Sequence, residues 1–472
     1  MPLVVGVDSS TSACKVQVRD ADTGTVVATG RAAHSPTSPP RSEQWPSEWE
    51  AAFHAACAQA TLPGQQRPVA LAVAAQQHGL VVLGHDGAVL RPAKLWNDTE
   101  SAPDSGSLLA ALPGGQAGWV EACGSVPVPS FTITKLQWLR RCEPETFRRT
   151  AGVLLPHDWL TFRLTGGRTT DRGDASGTGY WSPSEERYRE DLLRLVSEDV
   201  DWDAALPEVL HPNAAAGEWR GAGIPVAAGT GDNMAAALGL GLRPGDLALS
   251  LGTSGTACTV SDEAAADPTG TVAGFADATG RYLPLVCTMN ATKVTDTVAR
   301  LLGVDHAQFD ALALEAPAGA GGLVLVPHLD GERTPNRPDA TGQLTGLRTD
   351  VTPGQLARAA VEGVVCNLLD GADALGGTAR GTVFLVGGAA HSRAYRRVVA
   401  DLTGRAVRVP ADDELVAAGA AVQAAALLHG GDFAEVADAW GLGRGDTVEP
   451  DDTVDRIAIR DAYAEAVAGS LR

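Results

Sequence analysis

The chain has 472 residues, 57 acidic against 37 basic side chains, a formal charge of -20, and 44% apolar and 20% charged residues. That balance belongs to a globular protein, not to a disordered, collagenous or membrane-spanning one, and at about 100–200 residues per domain the length predicts two or three domains. An acidic chain lacks the cationic surface from which nucleic-acid binding draws most of its affinity, so no nucleic-acid partner is expected. The seven cysteines are scattered, odd in number and without a Cys-x-x-Cys pair, which points to a reduced, cytoplasmic setting rather than a disulfide framework. Met1 to Asp8 runs straight into a strand pattern, and no apolar run approaches ~18 residues, so neither a signal peptide nor a membrane span is expected.

In chain order, Leu3 to Val7 is a continuous apolar run, Asp8-Ser9-Ser10-Thr11-Ser12 a polar turn, and Lys15 to Arg19 an alternating segment. A second turn at Asp20 to Gly24 precedes Thr25 to Ala28, so three antiparallel strands open the fold, unlike a dinucleotide-binding unit with a helix after its first strand. An amphipathic helix follows over Ser47 to Ala60, then a strand over Val69 to Ala74, and Gly- and Pro-rich segments punctuate the region up to Pro129. The pattern resets after about Gly229. Leu247 to Leu251, the turn Gly252-Thr253-Ser254-Gly255 and Thr256 to Val260 repeat the opening strand-turn-strand unit, a sign of internal duplication with a boundary near residues 238–247.

The clearest helix starts at Thr352, where Thr352-Pro353-Gly354-Gln355 supplies a capping box with Pro at the first helical position, and Gly376 is its expected C-cap. A buried strand Val383 to Val386, the loop Gly387-Gly388-Ala389-Ala390, a helix from Ser392 to Leu402, a strand Ala406 to Val409 and an Ala-rich helix from Glu414 to Leu428 complete an α/β alternation. The acidic stretch after Gly430 ends in a short helix and carries no assigned chemistry.

No Walker, dinucleotide-binding, zinc-protease or nucleophile-elbow motif is present. Three small-residue turns remain, Asp8 to Ser12, Gly252 to Gly255 and Gly387 to Ala390, whose successive backbone N–H groups and hydroxyls suit phosphate, although each alone is a weak signal and a Gly-Thr-Ser-Gly turn is more often an ordinary hairpin turn. Asp8 closes an apolar run, where a carboxylate needs a partner or a cation; its bland reading is a turn cap. Asp232, in Gly229-Thr230-Gly231-Asp232-Asn233, reads either as a helix cap or as a group approached by a ligand. His78, within Gln76-Gln77-His78-Gly79, and Trp96-Asn97-Asp98 gather the donors, acceptors and aromatic wall that a polyol requires.

These blocks, in this order, resemble the FGGY carbohydrate kinases of the actin, hexokinase and Hsp70 superfamily. Asp8 to Lys15 is similar to the first phosphate motif, Gln76 to Gly79 and Leu95 to Asp98 to the sugar blocks, and Ser130 to Leu139 to the first family signature. Leu155 to Leu160 and Asp171 to Thr178 continue the register; Gly231-Asp232-Asn233 matches the catalytic block, Ser250 to Gly255 the second phosphate motif, Pro327 to Pro335 and Gly342 to Leu347 the approach to the second signature, and Gly387-Gly388-Ala389 the adenosine motif. The chain departs at Glu100, where close relatives usually carry Arg, a charge reversal beside the inferred sugar pocket.

The resemblance implies two ribonuclease H-like α/β domains facing across a cleft, over residues 1–240 and 241–430 with an extension over 431–472. It implies ATP with Mg2+ and a small sugar as partners, no membrane, and a homodimer as an assembly the family allows. The reaction it implies is phosphorylation of D-xylulose to D-xylulose 5-phosphate, bringing xylose into pentose phosphate metabolism, the Gln-Gln-His-Gly block favouring this sugar. Asp232 is then the general base, and Gln77, His78, Trp96, Asp232 and Asn233 hold the sugar. Asp8 places Mg2+ through water, Thr11, Ser12, Gly252 and Thr253 cradle the phosphates, and Gly387 and Gly388 take the adenosine. Kinases of ribulose, gluconate or glycerol, and an ATP-driven switch or scaffold, are the rival readings.

Overall fold

The computed structural model describes residues 2–62, 66–376 and 380–469. It comprises two compact units, neither of them one continuous stretch. The first takes residues 1–241, 261–283 and 414–442, the second residues 242–260, 284–413 and 443–472.

The first unit is built on a mixed sheet with strands in the order Ala215–Trp219, Ile224–Ala227, Pro68–Ala75, Leu3–Ser9, Ala13–Asp20 and Val26–Ala33, with Thr230–Gly231 pairing onto Pro68–Ala75. Leu3–Ser9 runs antiparallel to Ala13–Asp20 and parallel to Pro68–Ala75. Every side chain of Leu3–Ser9 is buried, the pattern of a central strand covered on both faces. One cover is the Pro46–Gln59 helix, whose Trp49, Phe53 and Ala56 join Val5, Val7, Val16 and Val73 in the core.

The other cover comes from far along the chain. The Leu415–His429 helix is buried almost all round and packs against Leu3–Ser9 and the Asp232–Gly239 helix. Small residues make this approach possible. A Cβ on Gly6 would lie 2.6 Å from the backbone nitrogen of Ala421, and one on Gly419 would lie 2.7 Å from the carbonyl carbon of Ala235. The helix's buried amide, Gln423, donates to the Gly229 carbonyl at 3.1 Å, so the packing also fixes the loop leading to Asp232.

The second unit repeats the opening order. Residues 285–288 pair with Gly255–Thr259, which is antiparallel to Leu247–Leu251, and that strand is parallel to Val383–Val386. Val407–Pro410 and Gly445–Val448 extend the sheet. The first unit has the same succession in Val26–Ala33, Ala13–Asp20, Leu3–Ser9 and Pro68–Ala75, the structural form of the duplication expected from the two strand-turn-strand units.

Local expectations meet the structure with two differences. The helix beginning after Thr352 has both arms of its capping box, Gln355 N–H to Thr352 Oγ1 at 3.2 Å and Thr352 N–H to Gln355 Oε1 at 2.8 Å. It spans Pro353–Asp373 with Ala374 as its C-cap, so Gly376, at φ 99°, lies beyond the cap instead of forming it. The Gly- and Pro-punctuated region before Pro129 holds two helices, Ala102–Ala111 and Gly115–Cys123. Pro103 stands in the first turn of the former, where its missing N–H breaks no helical bond. The Gly387 to Ala390 loop closes as a 3-10 turn over Gly388–His391.

Gly6→Ala tests the close approach. Overpacking a well-packed contact costs about 1–3 kcal/mol, so urea unfolding should show a loss of that size, and an unchanged midpoint would refute the packing account.

Candidate active site

In the first unit the sheet delivers three chain segments to the same strand ends. Asp8 is the penultimate residue of Leu3–Ser9, Gln76 to His78 follow Pro68–Ala75, and Asp232 follows Thr230–Gly231, which is paired with Ala74 and Ala75. Strand pairing over 230–231 thereby sets Asp232 and Asn233 beside Gln77: Asn233 Nδ2 donates to Gln77 Oε1 at 2.6 Å.

Asp232 opens the Asp232–Gly239 helix, where backbone N–H groups favour a carboxylate. Its Oδ1 accepts from Asn233 N–H at 2.8 Å and from Asn233 Nδ2 at 3.2 Å. Among the described residues no basic side chain pairs with it. Although the residue keeps some solvent exposure, protein atoms enclose its carboxyl group. Burial first, then the charges of Asp8 and Asp174, push the carboxyl up to about 8.

Asp8 is 2% exposed. Its carboxyl accepts from Ser10 Oγ and lies 3.6 Å from Lys15 Nζ, while Lys15 makes a shorter 2.6 Å ion pair with Glu414. Burial raises Asp8 above the usual carboxylate range, against the opposing pull of Ser10 and Lys15. Asp8, enclosed and only partly compensated by a lysine that pairs more closely with Glu414, offers the oxygen donors that a hard, hydrated dication takes. The Asp8 carboxyl therefore fits Mg2+.

Thr11, expected among the phosphate-binding residues, has its hydroxyl engaged within the protein. Its hydroxyl donates to Gln76 Oε1 at 3.1 Å and accepts from Trp96 Nε1 at 2.9 Å, so it ties the opening turn to the 45% exposed indole. Ser12 is exposed, with its carbonyl holding His34 N–H. His78 adopts φ 64°, uncommon for a residue with a side chain. Its Nδ1 lies 2.7 Å from the Gly177 carbonyl, and its ring stacks on Phe131 at 5.0 Å. A Cβ on Gly177 would lie 2.6 Å from His78 Nδ1, so only glycine admits the imidazole there.

Glu100, the charge reversal of the sequence, is not a free anion. Its Oε2 accepts from Lys94 Nζ at 2.7 Å and lies 3.3 Å from Arg41 Nε. Lys94 is fully buried, pairs with Asp98 at 2.8 Å and lies 3.8 Å from the centre of the Trp138 ring.

In the second unit the two remaining turns occupy neighbouring strand ends. Gly252 and Thr253 follow Leu247–Leu251, Gly387 and Gly388 follow Val383–Val386, and Ser250 is in register with Val386. Gly387 has φ 84° and ψ -177°, a conformation reserved for glycine. A Cβ on it would lie 2.8 Å from the Leu251 carbonyl oxygen, whereas Gly388 faces open space. Gly252 N–H donates to Ser254 O at 3.0 Å.

Sequence reasoning assigned no role to His157, Asp171 and Asp174, which lie buried behind this site. They lie in segments whose pattern gives no sign of the grouping.

The family model described as the FGGY family of carbohydrate kinases, N-terminal domain, matches residues 3–239, and its C-terminal counterpart matches residues 247–428. The chain is 49% identical to the xylulose kinase of Streptomyces coelicolor over 470 residues, covering 97% of this chain and 95% of that protein. It is 36% identical to the xylulose kinase of Escherichia coli, with 85% of each covered. The crystal structure of xylulose kinase from Bifidobacterium adolescentis superposes with a TM-score of 0.89 at 41% identity, covering 99% of both chains.

A carboxyl held neutral by the fold costs stability once it must ionise. With Asp232 at about 8 in the folded state and near 4 when unfolded, the penalty is absent below about pH 4 and grows until about pH 8. Asp232→Asn should therefore raise Tm, by more at about pH 8 than at about pH 5, in thermal unfolding; a gain that shrinks over that interval would contradict the enclosure.

Matched by family models in both halves and by relatives across nearly its whole length, the chain belongs to the FGGY family of carbohydrate kinases.

Proposed function

We propose that the protein transfers the γ-phosphoryl group of ATP to the terminal hydroxyl of D-xylulose, with Asp232 as general base. The observation that carries this reading is the enclosed Asp232 carboxyl, free of any basic partner among the described residues and flanked by the Asn233–Gln77 amide pair. A carboxyl pushed up to about 8 is a stronger base than an ordinary carboxylate and suits proton removal from an alcohol as the phosphoryl group arrives.

In this reading the sugar O–H gives its proton to Asp232 while its oxygen bonds the γ-phosphorus. The bond from that phosphorus to the bridging oxygen breaks, and ADP leaves. Asn233 fixes the Asp232 carboxylate through its N–H and amide, so the lone pair that takes the proton points away from Asn233. Gln77 and His78 bind further hydroxyls, and Trp96, held by Thr11, offers an aromatic face. Bound Mg2+, placed by Asp8 through water, supplies the charge neutralisation that a loose phosphoryl-transfer transition state needs. Gly252, Thr253 and Ser12 line the phosphates with backbone and hydroxyl donors, and Gly387 and Gly388 leave room for the adenosine.

The xylulose kinase relatives support D-xylulose as the acceptor. Neutralisation of Glu100 by Lys94 and Arg41 supports it further, since the reversed charge brings no free anion to the sugar. The seven unpaired cysteines and the need for ATP support a cytoplasmic location.

ADP release with MgATP should be strongly selective for D-xylulose over L- and D-ribulose, gluconate and glycerol. Selectivity for another of these would replace the substrate, and release indifferent to every sugar would favour an ATP-driven switch. Asp232→Asn should lower kcat by about 10²-fold or more, with ATP affinity retained. Because the base must be ionised, kcat/KM should fall on the acid side with an apparent pKa well above the ordinary carboxylate range, towards 8. Near-normal turnover of the variant would refute the assignment of Asp232.

A further inference from the structure

Behind the candidate active site, the first unit buries three carboxylates around one imidazole. His157 Nδ1 lies 2.7 Å from Asp174 Oδ2, and Nε2 lies 3.3 Å from Asp158 Oδ1 and 3.8 Å from Asp171 Oδ1. None of the four is more than 2% exposed. Burial pushes the imidazole down, but Asp158, Asp174 and Asp171 together hold His157 up at about 9, which favours its cationic form, while the same burial raises the three carboxyls. A charged group is costly at such depth, and nothing in the phosphoryl transfer itself uses this one.

The arrangement has two outputs, both on residues of the site. Asp171 caps the short Arg172–Ser176 helix through Gly173 N–H at 2.8 Å and Asp174 N–H at 3.0 Å, and its Oδ2 also accepts from Thr230 Oγ1 at 2.7 Å. Thr230 is two residues before Asp232. At the other end of the same helix, the Gly177 carbonyl meets His78 Nδ1 at 2.7 Å. Spacing around the helix is tight: a Cβ on Gly173 would lie 2.9 Å from Thr230 Oγ1, and one on Gly229 would lie 2.9 Å from His157 Cδ2. One helical turn thus touches the approach to Asp232 and the ring of His78, and His157 holds that turn through Asp174.

We propose that His157, Asp171, Asp174 and Thr230 form a buried brace that sets Asp232 and His78 at the spacing required by the acceptor sugar. They are positioning residues and do not touch the substrate. The inference rests on the reading of Asp232 and His78 given above and assigns a role to side chains that reading leaves unused. Its physical basis is that a reacting group displaced by ~1 Å can lose about 10²-fold in rate.

The test uses the full-length protein with MgATP and D-xylulose, reading kcat, the KM of each substrate, ATP affinity and Tm for each variant. Thr230→Val keeps the side-chain shape and removes the hydroxyl that binds Asp171, whereas Thr230→Ser keeps it. The former should lose about tenfold or more in kcat/KM for the sugar, and the latter should restore the rate to within about threefold of the parent. His157→Gln and Asp174→Asn should raise the sugar KM and lower kcat, leave ATP affinity within about twofold, and give a double variant no worse than the poorer single one. Equal activity of Thr230→Val and Thr230→Ser would overturn the brace, as would losses that track Tm and affect both substrates alike. If His157→Gln does not fold, the Thr230 pair still decides. Failure of the base assignment is separable: it shows as turnover surviving in Asp232→Asn, whereas the brace fails when the Thr230 and His157 variants leave the sugar parameters untouched.

Discussion

The approach of one alanine-rich helix to two backbones is the constraint on which the first unit depends. Leu415–His429 lies against the strand that ends near Asp8 and the helix that begins at Asp232, at a separation that Gly6 and Gly419 permit and a β-carbon would not. Its Gln423 holds the Gly229 carbonyl. Asp232 and Asp8 are therefore spaced by a segment nearly two hundred residues from one and four hundred from the other. Close packing transmits such spacing because interiors are nearly incompressible.

Electrostatics in this unit runs against stability. Asp8 and Asp232 are enclosed, the charge of Asp8 raises Asp232, and the one lysine beside Asp8 is itself more tightly paired with Glu414. A fold selected for stability alone would replace them with amides. In the proposed reading the site takes a dication and a proton, and carboxylates already desolvated and fixed would spare the reaction the cost of reorganising them. Elsewhere in the unit a buried charge is closely matched where Lys94 meets Asp98, Glu100 and the Trp138 ring.

The residues proposed to meet the sugar are held by contacts at one remove. Trp96 is oriented by Thr11, Gln77 by Asn233, and His78 by Gly177. The first of these changes the meaning of the opening turn, since the Thr11 hydroxyl is engaged at both its donor and its acceptor side within the protein. The Thr11 side chain thereby ties the turn to the indole.

Much of the local architecture was legible in the sequence because it depends on near neighbours. The opening strands, the capping box at Thr352 and the repeated strand-turn-strand unit follow from periodicity and turn chemistry. Asp8, Asp232 and His78 could be singled out because polar groups ending apolar runs must be satisfied by something, and the ordered motifs gave their family. What the sequence could not express was which distant groups meet. The units interleave along the chain because the Leu415–His429 helix packs where glycines permit it, not where its neighbours in sequence lie. Glu100 read as a reversed charge, and only the proximity of Lys94 and Arg41 neutralises it. His157 and its carboxylates sit in helical and loop segments without a distinguishing period, and their grouping exists only once the chain is folded. The sequence determined the elements and the residue types available for chemistry. Tertiary structure decided their partners, because hydrogen bonds and charge pairs depend on distances of about 3 Å that no spacing along a chain encodes.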